Sequence, residues 1–230
     1  MDLRAARGRD GTVGTLMTGL ITRARLRPGA VAAILARDAR RDGGHALVWT
    51  LFEGQAHGDR RFLYREEGQG PQDGYLIVST VPPADPDGLW DLRTKPYEPA
   101  LAAGDPLRFV LRVNPAVTYK DGETTRRVDV VMKAKAPLDG AARRAVDKDT
   151  LVRDWLTPRL AERGADLGAF ALTGWQVRTM GQGGRRRNLA VADAEGTLTV
   201  SDPAPFTDLL FAGIGKARAY GCGLLLVRRA

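Results

Sequence analysis

The chain has 230 residues, 43% hydrophobic and 27% charged, enough for one large core or two small ones and too apolar for a disordered segment. No apolar run reaches membrane-spanning length, and the opening Met1-Asp-Leu-Arg-Ala-Ala-Arg lacks a signal peptide's hydrophobic stretch, so a cytoplasmic protein with no membrane partner is expected. The formal charge of +8 comes mostly from arginine, whose planar fork suits phosphate, and this moves nucleic acid up the list of partners.

Residues 1–18 are rich in Gly, Arg and Thr without periodicity and read as a flexible N-terminal extension. Leu20, Thr22, Ala24 and Leu26 then alternate with Arg23, Arg25 and Arg27, which predicts a strand with one basic face, ended by Pro28-Gly29. Val31, Ile34 and Leu35 recur at helical spacing, and after the break at Asp42-Gly43-Gly44 a second helical face appears in Leu47, Val48, Leu51 and Phe52. Residues 61–66 and 75–81 read as strands joined by a turn-rich loop, residues 86–92 as a short helix with Leu89 and Trp90 inward, and residues 95–99 as an edge strand. The order β-α-β-β-α-β is the ferredoxin-like pattern.

The pattern then starts again. Residues 107–113 alternate as the strongest strand in the chain, stopped by Asn114-Pro115, and residues 128–132 predict a shorter one. A helix is expected from about Asp149 to Arg163, with Pro158 inside it as a kink or early stop. Strands over 175–180, 188–192 and 197–201 follow, the last two separated by a turn at Glu195-Gly196, and a helix and a final apolar strand close the chain. The fold class is therefore α+β, two tandem ferredoxin-like modules over 19–100 and 101–230.

Three stretches carry candidate chemistry. In the ending Gly213-Ile-Gly-Lys-Ala-Arg-Ala-Tyr-Gly-Cys-Gly, glycines at 213, 215, 221 and 223 bracket Lys216 and Arg218. This reads either as a helix C-cap and turn into a strand or as a loop that meets a phosphate backbone through its glycines and cations. The spacing fits neither a dinucleotide fingerprint nor a P-loop. Arg185, Arg186 and Arg187 sit on a Gly-rich tip between two strands, as a solvated loop or as a splayed phosphate grip. His45 falls in the first turn of a predicted helix, where the macrodipole favours a neutral imidazole able to accept a proton; Asp42 can cap that helix or orient the ring, and a histidine without a role is the plain alternative. His57 is assigned nothing. One cysteine, Cys222, excludes an internal disulfide and reads as a small core residue, and with two histidines in different contexts neither a metal site nor a cofactor is expected.

The run Leu107-Arg-Phe-Val-Leu-Arg-Val-Asn-Pro, the segment Leu198-Thr-Val-Ser-Asp-Pro, the Gly-rich ending and the block His45-Ala-Leu-Val-Trp-Thr-Leu-Phe together resemble the CRISPR repeat-RNA endoribonucleases of the Cascade system, CasE type, from about residue 19 to the end. The resemblance implies two ferredoxin-like modules, a metal-independent cut at the base of the repeat stem-loop of precursor CRISPR RNA, a cyclic phosphate on the upstream fragment, and partners in that stem-loop and the other subunits of the Cascade surveillance complex. It places the catalytic histidine on His45, the groove-entering hairpin on Arg185 to Arg187, and RNA contact on Gly213, Gly215, Lys216 and Arg218. Some members carry a tyrosine three residues before that histidine; here the position is Asp42, and Lys216, Tyr119 or a water held by Asp42 are the candidates for the second catalytic group. A catalytically weak RNA-binding subunit is the alternative. A generic single-strand RNA binder would instead need exposed aromatics on the central strands, Phe109 being a candidate.

Overall fold

A computed structural model of the protein describes residues 18–37, 44–53, 61–68, 73–180 and 187–230. The expected extension over 1–17, the loop with His57, and Asp42, Arg185 and Arg186 lie outside the described residues.

The first sheet contains β1 (Gly19–Leu26), β2 (Phe62–Glu66), β3 (Tyr75–Ser79) and β4 (Trp90–Tyr97), in the order β2-β3-β1-β4 with every pair antiparallel. Alternation in β1 is as expected: Thr22, Ala24 and Leu26 are buried, while Arg23 and Arg25 are exposed on the opposite face. Helices α1 (Ala30–Arg37) and α2 (Gly44–Trp49), the latter continued by a 3-10 turn Thr50–Phe52, cover the apolar face. Leu47, Val48, Leu51 and Phe52 are all buried there with Phe62, Tyr64, Tyr75, Ile77 and Trp90.

The second sheet contains β5 (Pro106–Val113), β8 (Ala165–Met180), β9 (Arg187–Val200) and β10 (Leu225–Arg229), in the order β10-β5-β9-β8, again antiparallel. Numbered along the chain within each sheet, both orders read 4-1-3-2. Helices α5 (Lys148–Ala161) and α6 (Pro203–Ala212) bury Val152, Trp155, Leu156, Leu160, Phe206, Leu209 and Leu210 against Leu107, Phe109, Leu111 and Val113 of β5. Asp147 accepts from the Asp149 amide at the start of α5, and Asp202 from the Ala204 amide at the start of α6, whose first residue is Pro203. Between β5 and α5 the chain makes a separate two-stranded ribbon, β6 (Ala116–Asp121) with β7 (Thr124–Asp129), then α3 (Val130–Lys135) and α4 (Gly140–Arg144). Among the described residues no helix is long and apolar enough to cross a membrane.

Four local expectations change. Residues 86–92 form a turn and the start of β4 rather than a helix: Asp85 accepts from the amides of Leu89 and Trp90, and this side-chain cap outcompetes helical pairing. Of residues 128–132 only Val128 and Asp129 are strand, because Asp129 ends β7 and accepts from the Met132 amide as the N-cap of α3, whose first turn takes up the rest. Pro158 does not stop α5, which ends only at Ala161. Nor do Glu195 and Gly196 turn; β9 runs straight through them, with Gly196 paired to both Phe109 and Phe170. The register of β8 slips between Leu167 and Phe170, and that bulge brings the Ala169 carbonyl onto residue 196, where a Cβ would overlap it.

Gly196 is thus glycine for closeness rather than for turning. We expect Gly196→Ala to cost about 2 kcal/mol or more through overpacking, and Gly88→Ala, which has φ +64 and nothing within 4 Å, to cost only about 1 kcal/mol of backbone strain. Urea unfolding of the two variants measures the difference.

Candidate functional site

The apolar stripe of α2 fixes where His45 sits. Phe52 stacks on Phe62 with ring centroids 4.2 Å apart and Trp49 tilts against it at 5.2 Å, so the helix is clamped to β2 by its C-terminal half. Its N-terminus reaches the far end of β2: a Cβ on Gly44 would lie 2.9 Å from Glu66 Oε1 and 3.0 Å from the Tyr75 ring. His45 is the next residue, in the first turn of the helix as expected; for His45 and for Arg187 the structure describes the backbone.

The Gly-rich stretch closes over the seam between the two sheets. Gly213 caps α6 with φ +75, its amide donating to Leu209 O, and Gly215, Gly221 and Gly223 also have left-handed φ. Added Cβ atoms would come 2.8 Å from Leu63 at 213, 2.9 Å from Trp155 at 215, 3.3 Å from Tyr64 at 221 and 2.8 Å from Ile214 O at 223. The glycines therefore serve close approach within the protein, as the C-cap and turn reading has it. Gly213 is buried and Gly215 half-buried, while Lys216 and Arg218 are exposed. Ala217 shares the left-handed region at φ 64, and the 3-10 turn Arg218–Tyr220 that follows lies against α2. Tyr64 Oη donates to Ala219 O at 2.8 Å, tying the turn to β2.

A charged cluster lines the same seam. Arg112 donates to both oxygens of Asp193, at 2.8 and 3.1 Å, and to Glu66 Oε2 at 3.5 Å; Arg178 donates to Glu66 Oε2 at 3.0 Å. Burial lowers the Arg112 pKa, but the hydrogen bonds and charge of Asp193, with the charge of Glu66, more than offset it and leave it raised. Arg65, whose Nη2 is 3.6 Å from Asp193, is pushed down by burial against the pull of Asp193. Buried Cys222 adjoins these groups: burial pushes its thiol up to about 12, against the pull of Arg112 and Arg178.

Glu66 thus touches the start of α2 and Arg178, two residues before the end of β8, and the turn Arg218–Tyr220 lies on the same helix. The first turn carrying His45, the cationic loop with Lys216 and Arg218, and the base of the hairpin bearing Arg185 to Arg187 are gathered around one seam. Tyr119 lies on the β6–β7 ribbon, with Lys133 Nζ 5.7 Å from its ring centroid. Phe109 is buried under the helices rather than exposed on the sheet, so it offers no stacking platform. Sequence reasoning did not find Glu66, Arg112, Arg178 and Asp193. The available trace was Arg112 on the polar side of an alternating strand, but its partners come from β2 and β9, and Arg178 of β8 joins them only through Glu66.

An α+β protein with a cationic seam between two antiparallel sheets, and a match over residues 20–229 to the family model for CRISPR-associated proteins, belongs to that family. Within it the chain is 30% identical over 188 residues to the CRISPR system Cascade subunit CasE of Escherichia coli K12, covering 79% of this chain and 88% of that protein. It is 31% identical over 192 residues to the CRISPR-associated endoribonuclease Cse3 of Thermus thermophilus, covering 74% and 81%. The fold superposes on the structure of the CRISPR endoribonuclease Cse3 bound to 19-nt RNA with a TM-score of 0.68 at 26% identity, covering 92% of this chain and 99% of that one. The resemblance carried by the Gly-rich ending and the strand ending in Asn114-Pro115 is borne out.

The burial of Cys222 has a measurable consequence. At pH 8 the thiol should resist a disulfide reagent in the folded protein and react fully in guanidinium. Its pKa is raised from 9.0 to about 12, so its contribution to stability is fully present below pH 9 and is lost as pH rises toward 12, where the unfolded chain has already released the proton. Urea midpoints taken across that window should fall.

Proposed function

We propose that this protein is a metal-independent endoribonuclease that cuts precursor CRISPR RNA at the base of the repeat stem-loop and that the mature guide stays bound as the protein joins the Cascade complex. The observation that carries this reading is the gathering of the His45 turn, the Lys216–Arg218 loop and the root of the β8–β9 hairpin around Glu66. Two further facts support it: relatives are named as a Cascade subunit and as a CRISPR-associated endoribonuclease, and a similar protein is seen bound to RNA. The shared 4-1-3-2 strand order supports two ferredoxin-like, RRM-like modules over 19–100 and 101–230.

In this mechanism the attacking group is the ribose 2′-hydroxyl upstream of the scissile phosphate, which forms a cyclic phosphate as the 5′-oxygen departs. His45 moves a proton at one of these oxygens. The exposed cations of Lys216 and Arg218 face the charge that builds on phosphorus, and Arg185 to Arg187 enter the groove of the stem. Holding the RNA in line for attack supplies much of the rate, so one proton-moving side chain suffices.

A labelled repeat stem-loop incubated with the protein should be cut equally with and without EDTA. His45→Ala should slow single-turnover cleavage by roughly 100-fold or more, with stem-loop affinity changed less than about twofold. Cleavage at the wild-type rate by that variant removes His45 from the mechanism. Asp42, in place of the tyrosine of some members, favours a second reading, an RNA-binding subunit without catalysis, which bound but intact RNA in the wild-type reaction would establish.

A further inference from the structure

The ribbon β6–β7 has no part in either four-stranded sheet, yet its base is fastened to the candidate site. Asn114, buried where β5 ends, donates through Nδ2 to Ala190 O of β9 at 2.7 Å and accepts at Oδ1 from Arg127 Nη2 of β7 at 3.0 Å. The backbone of Asn114 also forms an isolated antiparallel bridge with Lys216. One buried residue, through its side-chain amide and its backbone, therefore holds together the ribbon, the root of the β8–β9 hairpin and the cationic loop. Two further bonds fix the ribbon's angle, Trp155 Nε1 to Ala116 O at 3.1 Å and the Val130 amide to Pro115 O at 2.9 Å. An isolated two-stranded ribbon is marginal in water, so this anchoring is what lets it project.

The register sorts its side chains. Thr118 pairs with Arg127 and Lys120 with Thr125, so these four share one face; Val117 with Val128 and Tyr119 with Arg126 share the other. On the second face Val117 packs on the core of the second sheet and Tyr119 lies under Lys133, while Thr124 and Arg126 near the turn are exposed. The first face is exposed at all four positions, and its Arg127 reaches the side-chain amide of Asn114, which also holds Ala190 and whose backbone bridges Lys216. These four positions carry two cations and two hydroxyls, and at its base the face continues only to Ala116 and Asp129. The acids of the ribbon lie at its turn, Asp121 and Glu123, and at its exit, where Asp129 is occupied in capping α3.

We propose that the β6–β7 ribbon is a second RNA-binding arm, whose Thr118, Lys120, Thr125 and Arg127 face lies along the phosphate backbone of the stem-loop beside Lys216. A face of cations and hydroxyls without apolar anchors matches a phosphate ladder and lacks what a protein partner needs at the centre of an interface. The inference rests on the stem-loop being the substrate, as proposed above.

The test is the salt dependence of binding to a 2′-O-methyl repeat stem-loop, which cannot be cut. Removing a phosphate contact should lower the slope of log affinity against log salt by roughly 0.8, which weakens binding roughly fivefold at physiological salt. Lys120→Ala, at an exposed position, should show one such step, and Lys120→Ala with Arg127→Ala two. Lys133→Ala removes the same charge on the other side of the ribbon and should leave the slope unchanged. A wild-type slope for Lys120→Ala, or an equal loss for Lys133→Ala, overturns the arm while leaving the stem-loop reading intact; failure of the wild type to bind the stem-loop sinks both. If the double variant binds RNA normally but no longer enters a complex with Cascade subunits, the face belongs to a protein partner and the proposal is wrong.

Discussion

The structure depends on a backbone that passes so close to its neighbours that several of its positions have no room for a Cβ. Residues 213–223 run through the seam between the sheets with left-handed φ at 213, 215, 221 and 223; an added Cβ would overlap Leu63, Trp155 and Ile214 at 213, 215 and 223 and would press on Tyr64 at 221. The closeness is used for hydrogen bonding: the Gly223 amide donates to Arg112 O at 2.7 Å, Ile214 N to Gly223 O at 2.9 Å, and Tyr64 to Ala219 O. The stretch is thereby pinned to β5 on one side and β2 on the other. A loop fastened at this many backbone points presents Lys216 and Arg218 in a fixed place, which is what a site that positions a phosphate requires.

The rest of the seam divides into an apolar part and an ionic part. Leu63, Val78 and Leu224 are buried together with Ile21, Tyr97, Phe211 and Leu226 packed around them, and this contact supplies the area that holds the sheets together. The ionic part, Arg112, Arg178, Glu66 and Asp193, gains less, because desolvation of each charge offsets most of the Coulomb attraction. Its value is geometric. Two parallel bonds from Arg112 to Asp193 lock β5 to β9, and the single carboxylate of Glu66 then reaches from the first sheet to two cations of the second. A sliding of one sheet against the other would strand that carboxylate without its partners.

Much of this was legible in the chain wherever one residue's environment is set by its neighbours in sequence. The basic alternation of β1, the stripe at Leu47, Val48, Leu51 and Phe52, and the stop at Asn114-Pro115 all survive into the fold. The misreadings have a common cause. Glu195-Gly196 carries turn chemistry, but its glycine answers to a bulge in β8 near Ala169, almost thirty positions away; residues 86–92 have helical composition, but Asp85 takes the amides that a helix would need. The ribbon β6–β7 was not foreseen because β7 is exposed from Thr124 to Arg127 and lacks the alternation that marks a half-buried strand, while the alternation of β6 covers only Val117 to Lys120. Likewise the glycines at 213–223 announced closeness without saying to what. The choice between a ligand and the protein's own side chains depends on Leu63, Tyr64 and Trp155, which no local pattern connects to them.

What brings distant segments into one place is the direction of the strands. In the second sheet Leu111 of β5 pairs with Leu225 of β10, and Val113 pairs with Ala192 of β9. The end of β5, the start of β10 and the start of β9 therefore share one end of the sheet, and the end of β8 joins them because Met180 pairs with Arg187. Three connections that are far apart in sequence, the ribbon after Asn114, the β8–β9 hairpin and the Gly-rich loop, must emerge together, whatever their own composition. The first sheet adds the fourth element by the same rule. Glu66 pairs with Tyr75, so that end of β2 and β3 is where the start of α2 rests, and the bonds from Glu66 to Arg112 and Arg178 set it against the corresponding end of the second sheet. Antiparallel register thus assembles the site at one end of each sheet, and the composition of each connection is left free to supply the cations, the hydroxyls and the histidine.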